Sequence, residues 1–203
     1  EHGPRECVFT VDEETGLTGA KAVKKGFITG NILLNLDSED EGQIFSGCAG
    51  GKSTVATFEY KAAPTPASGQ YFRITVTGVN GGHSGGDIDK GLGNANMLLA
   101  RFLYQLQEKY PFTLASIEGG NLHNAIPREA YAVIGISPKN RENVRVLLNN
   151  FAADIENELK SVDPNVRLIM ESTDTPKKCF PATLKKKLIY SLLACPHGVI
   201  NMS

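Results

Sequence analysis

The sequence predicts an α/β chain in two parts. Residues 1–50 read as part of a mixed or parallel α/β sheet, and residues 51–203 as an α+β domain whose antiparallel sheet carries two helices on one face. Three observations predict this. Before Gly50-Gly51, apolar β-branched runs flank a short helical stretch, the order a parallel sheet produces. After it, runs with period-two alternation suit antiparallel strands with one solvated face. Two longer stretches repeat apolar residues every three or four positions, as amphipathic helices do.

In order along the chain, residues 6–11 (ECVFTV) form the first expected strand, and residues 15–25 a short helix stopped by Gly26. Residues 31–36 (NILLNL) are a second buried-strand candidate and 43–48 a weaker third. In the second part, residues 53–61 and 70–79 are expected to pair across a turn rich in Pro, Ala and Ser. A glycine-rich loop leads to a helix capped by Asn94, with Ala95, Leu98, Leu99, Phe102 and Leu106 in one stripe. Residues 112–117 and 130–136 are strands. Ser137-Pro138 reads as the cap and first turn of a long helix ended by Asp163-Pro164. Residues 166–170 return as a strand, which gives a ββαββαβ order, and residues 182–193 add a third helix.

Composition narrows the function. Twenty-one Lys and Arg against 22 Asp and Glu leave a net charge of -1, which gives no support for a nucleic-acid partner. No apolar run approaches the ~20 residues needed to span a bilayer, so no membrane partner is expected. The 4 cysteines (Cys7, Cys48, Cys179 and Cys195) are scattered and form no CxxC pair. That spacing favours reduced thiols and a cytoplasmic setting. The chain opens at Glu1-His2-Gly3-Pro4 and closes on the apolar run 199–203, and reads as a piece of a longer polypeptide.

Asp12, Glu13 and Glu14 follow the first expected strand, and Asp37 follows the second. Side chains just past the carboxyl ends of parallel strands converge on one crevice. A divalent cation would relieve their mutual repulsion, and adjacent glutamates can divide the work between metal ligand and proton acceptor. The alternative is a solvated strand end, or acids that stabilise the start of the next helix. His83 sits among five glycines in residues 78–86, a setting that lets a ligand approach and a ring donate to a developing oxyanion; a plain hairpin-to-helix connection is the other reading. Asn121, His123, Asn124 and Arg128 lie in a second polar loop suited either to an anionic or amide-bearing substrate or simply to a turn. His2 and His197 lack a partner pattern, and Lys185-Lys186-Lys187 reads as a solvated helix face.

TVDEETGLTGA, LLNLDSEDEG, GCAGG at 47–51, GGHSGGDI and GGNLHNAIPREA occur in the order found in the M20-type metallopeptidases. The chain most resembles their bacterial aminoacyl-histidine (Xaa-His, carnosinase-like) dipeptidases, over roughly residues 1–135. The resemblance implies that residues 1–50 are the C-terminal part of a first catalytic-domain segment, and that 51–203 are a lid domain able to form a homodimer. It implies two Zn²⁺ ions in the full site, with Mn²⁺ or Co²⁺ as alternatives. Glu13 resembles the general base and Glu14 a metal ligand, while Asp37 resembles a ligand of the second metal. His83 resembles the residue that stabilises the tetrahedral intermediate. Asn124 resembles a substrate contact, and Arg128 is the nearest substitute for a carboxylate-gripping arginine. The implied activity is metal-dependent hydrolysis of dipeptides. The family's His-x-Asp motif, bridging Asp and final His are expected outside this chain, which alone is expected to be inactive and to bind zinc weakly. A related deacylase or aminoacylase, or a non-catalytic dimerisation module, are the alternatives.

Overall fold

The computed structural model describes residues 2–37, 41–47 and 50–201. They divide into two units, Glu1–Thr54 and Val55–Ser203.

In the first unit the described residues form two short helical turns, Glu13–Gly16 and Thr18–Ala22, and no strand. The strands expected over 6–11 and 31–36 are irregular, as are the described residues of the third, 43–47; its last residue, Cys48, lies outside the described residues. The parallel sheet expected of this part is therefore absent from the described residues. The physical reason is pairing: an extended segment becomes a strand only when a neighbour takes up its N–H and C=O groups. Here the apolar residues stay exposed, with Phe9 at 92% and Leu36 at 91%. The expected helix over 15–25 is instead broken at Leu17, which takes a left-handed backbone (φ 58). What ties the unit together locally is polar. The Glu6 carboxylate accepts from the Thr29 N–H (2.8 Å), the Gly30 N–H (3.3 Å) and the Thr29 hydroxyl.

The second unit is built on β1 (Gln70–Thr77), α1 (Ala95–Lys109), β2 (Phe112–Gly119), β3 (Ala130–Ile136), α2 (Arg141–Leu159), β4 (Arg167–Ser172) and α3 (Ala182–Ala194). The strands make one four-stranded sheet in the order β2-β3-β1-β4, antiparallel throughout. Phe72, Ile74 and Val76 alternate along β1 and face the core, opposite Ile134, Ala132 and Ala130 of β3. Against this face α1 lays Leu98, Leu99, Phe102 and Leu106, and α2 lays Val144, Leu148, Phe151 and Ile155. The Phe102 and Phe151 rings meet at 5.8 Å between centroids. The opposite face carries Arg73, whose guanidinium lies 4.3 Å above the Tyr131 ring.

The α+β class and the two helices on one face are as expected, and the order differs at one place. Residues 53–61 are irregular rather than a strand, so the order is βαββαβ. β1 sits inside the sheet, paired with β3 on one side and β4 on the other, which leaves it no free side for a preceding hairpin partner. Asn94 caps α1 as expected, accepting from the Met97 N–H at 3.2 Å. Ser137 does not cap α2: it precedes a 3-10 turn, Pro138–Asn140, and makes no side-chain cap bond among the described residues. Lys185 is no solvated residue either. Its ammonium donates to the Phe112 carbonyl at 2.7 Å and sits 4.1 Å from the Phe112 ring, and desolvation lowers its pKa.

Candidate functional site

Two polar loops meet at one end of the sheet, just beyond β1 and between β2 and β3. Gly82–His83 and Ala125–Ile126 pair as a short antiparallel ladder, with His83 opposite Ala125. The Ser84 N–H donates to the Asn124 carbonyl at 2.8 Å and extends the contact. The structure thus joins two of the sequence-predicted residues, His83 and Asn124, which are 41 positions apart. Glycine is required here for packing as well as for conformation. Gly81 has φ +66, and a Cβ on it would lie 2.3 Å from the Arg128 Cγ. Arg128 therefore runs across the glycine that opens the His83 loop.

His83 is exposed, yet its ring is held. The N–H groups of Gly85 and Gly86 both donate to its Nδ1, each at 3.1 Å. A backbone N–H only donates, so Nδ1 carries a lone pair and the proton of the neutral ring lies on Nε2. The ring consequently presents an N–H donor on its outer edge.

Beside the ladder lies a depression of about 890 Å³ lined by Thr77, Glu118, Asn121, Arg128, Glu129 and Tyr131, among others. Glu129 accepts from the Tyr131 hydroxyl (2.5 Å) and from the Thr77 hydroxyl (3.2 Å). The Tyr131 bond, then the Thr77 bond, lower the Glu129 pKa, and the same contact raises that of Tyr131. This depression therefore presents a glutamate held as carboxylate, with the charge of Arg128 lowering its pKa further.

Asp87 and Asp163 hold the backbone of the glycine-rich loop, and neither is a site candidate in the sequence. Asp87 accepts the His83 N–H at 2.7 Å and pairs with the Lys90 ammonium at 2.5 Å. A short-range signal for it existed: Asp four residues after a loop histidine is placed to close a turn through its side chain. Asp163, read only as a helix stop, is 0% exposed and accepts the N–H groups of Asn80 and Gly93, both at 2.6 Å. It anchors both ends of the glycine-rich connection. Those partners are 83 and 70 positions away, beyond any local pattern. His197, read as partnerless, approaches the Asn94 amide through Nδ1 and the Leu92 carbonyl through Nε2, both at 3.3 Å.

Glu13, Glu14 and Asp37 belong to the first unit. Glu13 and Glu14 open the turn Glu13–Gly16, exposed to solvent, and follow Asp12, which has a left-handed backbone (φ 58). The Thr18 hydroxyl donates to the Asp12 carboxylate at 2.5 Å, and the Asp37 N–H donates to Asn35 Oδ1 at 3.1 Å. Among the described residues no three His, Cys, Asp or Glu side chains are grouped so as to hold a metal ion.

The second unit is an α+β domain with a two-loop polar site at one end of its sheet, and residues 69–163 match the family described as peptidase dimerisation domain, of the M20 type. Over these residues the chain is similar to the M20-type peptidases. It is similar along its whole length to the cytosol non-specific dipeptidase of Escherichia coli (strain K12), at 39% identity over 202 residues. It is also similar to the crystal structure of aminoacylhistidine dipeptidase from Vibrio alginolyticus, with 34% identity, a TM-score of 0.79 and 96% of this chain covered. The chain spans 42% of the length of the first of these proteins and 40% of the second. Among the described residues, no helix is long and apolar enough to cross a membrane.

Proposed function

We propose that this chain is part of a longer dipeptidase that hydrolyses Xaa-His-type dipeptides by means of a metal-activated water. In this reading residues 1–50 end a catalytic-domain segment and residues 51–203 serve as the lid. The observation that carries it is the ladder joining the His83 loop to the Asn124 loop, with the His83 Nε2–H presented outward. The likeness to two dipeptidases along nearly the whole chain supports the substrate class.

Each residue has a task set by its chemistry. The Nε2–H of His83 donates to the scissile carbonyl oxygen as water adds and the oxygen gains charge. The Asn124 side-chain amide hydrogen-bonds the substrate, and the Arg128 guanidinium pairs with its carboxylate. Glu13 takes the proton of the attacking water. Glu14 and Asp37 are assigned to zinc, and they do not fit it alone. Two carboxylates fall short of the three or four protein ligands of ordinary zinc sites. The remaining ligands are assigned to the rest of the longer protein.

Glu13→Gln in the longer protein tests the reading. Turnover of Xaa-His dipeptides is expected to fall at least about 100-fold with metal content retained, the scale of a lost general base. Unchanged turnover would remove Glu13 from the chemistry. Faster turnover of N-acyl amino acids than of dipeptides would favour a deacylase. A second reading, a non-catalytic dimerisation module, is favoured by the match of residues 69–163. We propose a homodimer under either reading, read out by sedimentation. The scattered thiols favour the cytoplasm, as does the likeness to the cytosol non-specific dipeptidase of Escherichia coli.

A further inference from the structure

We propose that Asp87 is the positioning residue that holds His83 in its donor geometry; this rests on the reading of His83 as the donor to the substrate oxygen. A histidine exposed on a loop of five glycines has every entropic reason to wander. Here both polar groups of its backbone bond to one residue: the His83 N–H to the Asp87 carboxylate (Oδ2, 2.7 Å), and the His83 carbonyl to the Asp87 N–H (3.1 Å). The turn so closed brings the Gly85 and Gly86 N–H groups onto the ring Nδ1. The other carboxylate oxygen, Oδ1, is taken by Lys90 at 2.5 Å, which leaves Oδ2 to the His83 N–H. The sequence makes room for the arrangement: a Cβ on Gly82 would stand 2.8 Å from Asp87 Oδ2. The Asn124 carbonyl meets the Ser84 N–H within the same turn, so Asp87 also sets the spacing between the two loops.

The test has two readouts. In the 203-residue chain, amide hydrogen exchange of Gly85 and Gly86 is expected to speed up about tenfold in Asp87→Ala, and to stay near the unsubstituted rate in Asp87→Asn, whose amide oxygen still accepts the His83 N–H. In the longer protein, kcat for dipeptide hydrolysis is expected to fall on the order of tenfold or more in Asp87→Ala, with KM within about twofold, and to recover largely in Asp87→Asn. Far-UV circular dichroism establishes that both variants fold. Unchanged exchange in Asp87→Ala would overturn the proposal. So would faster exchange with unchanged kcat, provided His83→Ala abolishes turnover. If His83→Ala leaves turnover intact, the reading of His83 itself falls, which the exchange data distinguish from a failure of Asp87 to hold the loop.

Discussion

A single proton on His83 sets what the glycine-rich loop can do. With Nδ1 occupied by two backbone donors, only Nε2–H faces outward, and the ring can act as a hydrogen-bond donor to an oxygen that gains charge. Asp87 adds a pH dependence. The Lys90 contact, then the His83 N–H, lower its pKa below the ordinary carboxylate value of about 3.9. Because the folded value is the lower one, the unfolded chain binds more protons between the two. The contribution is therefore present above about pH 3.9 and is lost as pH falls through the folded value. An acid titration followed by NMR should show the His83 amide signal moving with a midpoint below 3.9. A midpoint at or above that value would show that Asp87 is not held as described.

Helices and strands position this loop through one buried acid. Asp163 lies just past the end of α2 and accepts the N–H of Asn80, before the His83 loop, and of Gly93, before α1. Gly93 has no room for a side chain there: a Cβ would come within 2.9 Å of Leu159 Cδ1 and of Val79 Cγ1. Asp163→Ala leaves two N–H groups without their acceptor, and urea unfolding is expected to show a loss of about 1–3 kcal/mol, the cost of leaving a buried donor unsatisfied. A loss under about 0.5 kcal/mol, the size of an ordinary surface change, would remove Asp163 from this role. The elements themselves are held by apolar burial, with Phe102, Phe151 and Ile74 among the largest side chains fully enclosed between helices and sheet.

For the molecule as a whole, the two units contrast in how much they bury. Residues 55–203 enclose a continuous core, whereas the apolar side chains Phe9, Leu33, Leu34 and Leu36 of the first unit are exposed. Carboxylates without further ligands should hold zinc poorly, and calorimetric titration of this 203-residue chain is expected to show no tightly bound zinc. Two ions bound at submicromolar affinity would overturn the assignment of the missing ligands to residues outside the chain.

Both principal helices were legible because their causes are local: Asn94 caps α1, and both helices show apolar residues at spacings of three and four. The sheet was legible in its four main strands, since alternation reports which side chains a strand buries. It was misleading at 53–61, because both sides of β1, the expected hairpin partner, are taken by β3 and β4. Residues 6–11 and 31–36 failed for a related reason, because an apolar run states that a segment wants a partner and cannot supply one. In the site, His83 and Asn124 were legible as residues, from their motifs. That the two loops zip together, and that Asp163 ties them to α2, depends on contacts between distant positions. The sequence alone determined the two principal helices, the core stripes, the α+β class of the second unit and its likeness to an M20-type dimerisation domain. Only the tertiary structure decided which edges of the sheet are occupied and which nitrogen of His83 bears the proton. Both are settled by backbone N–H and C=O groups, which every sequence carries alike and only a folded chain assigns to partners.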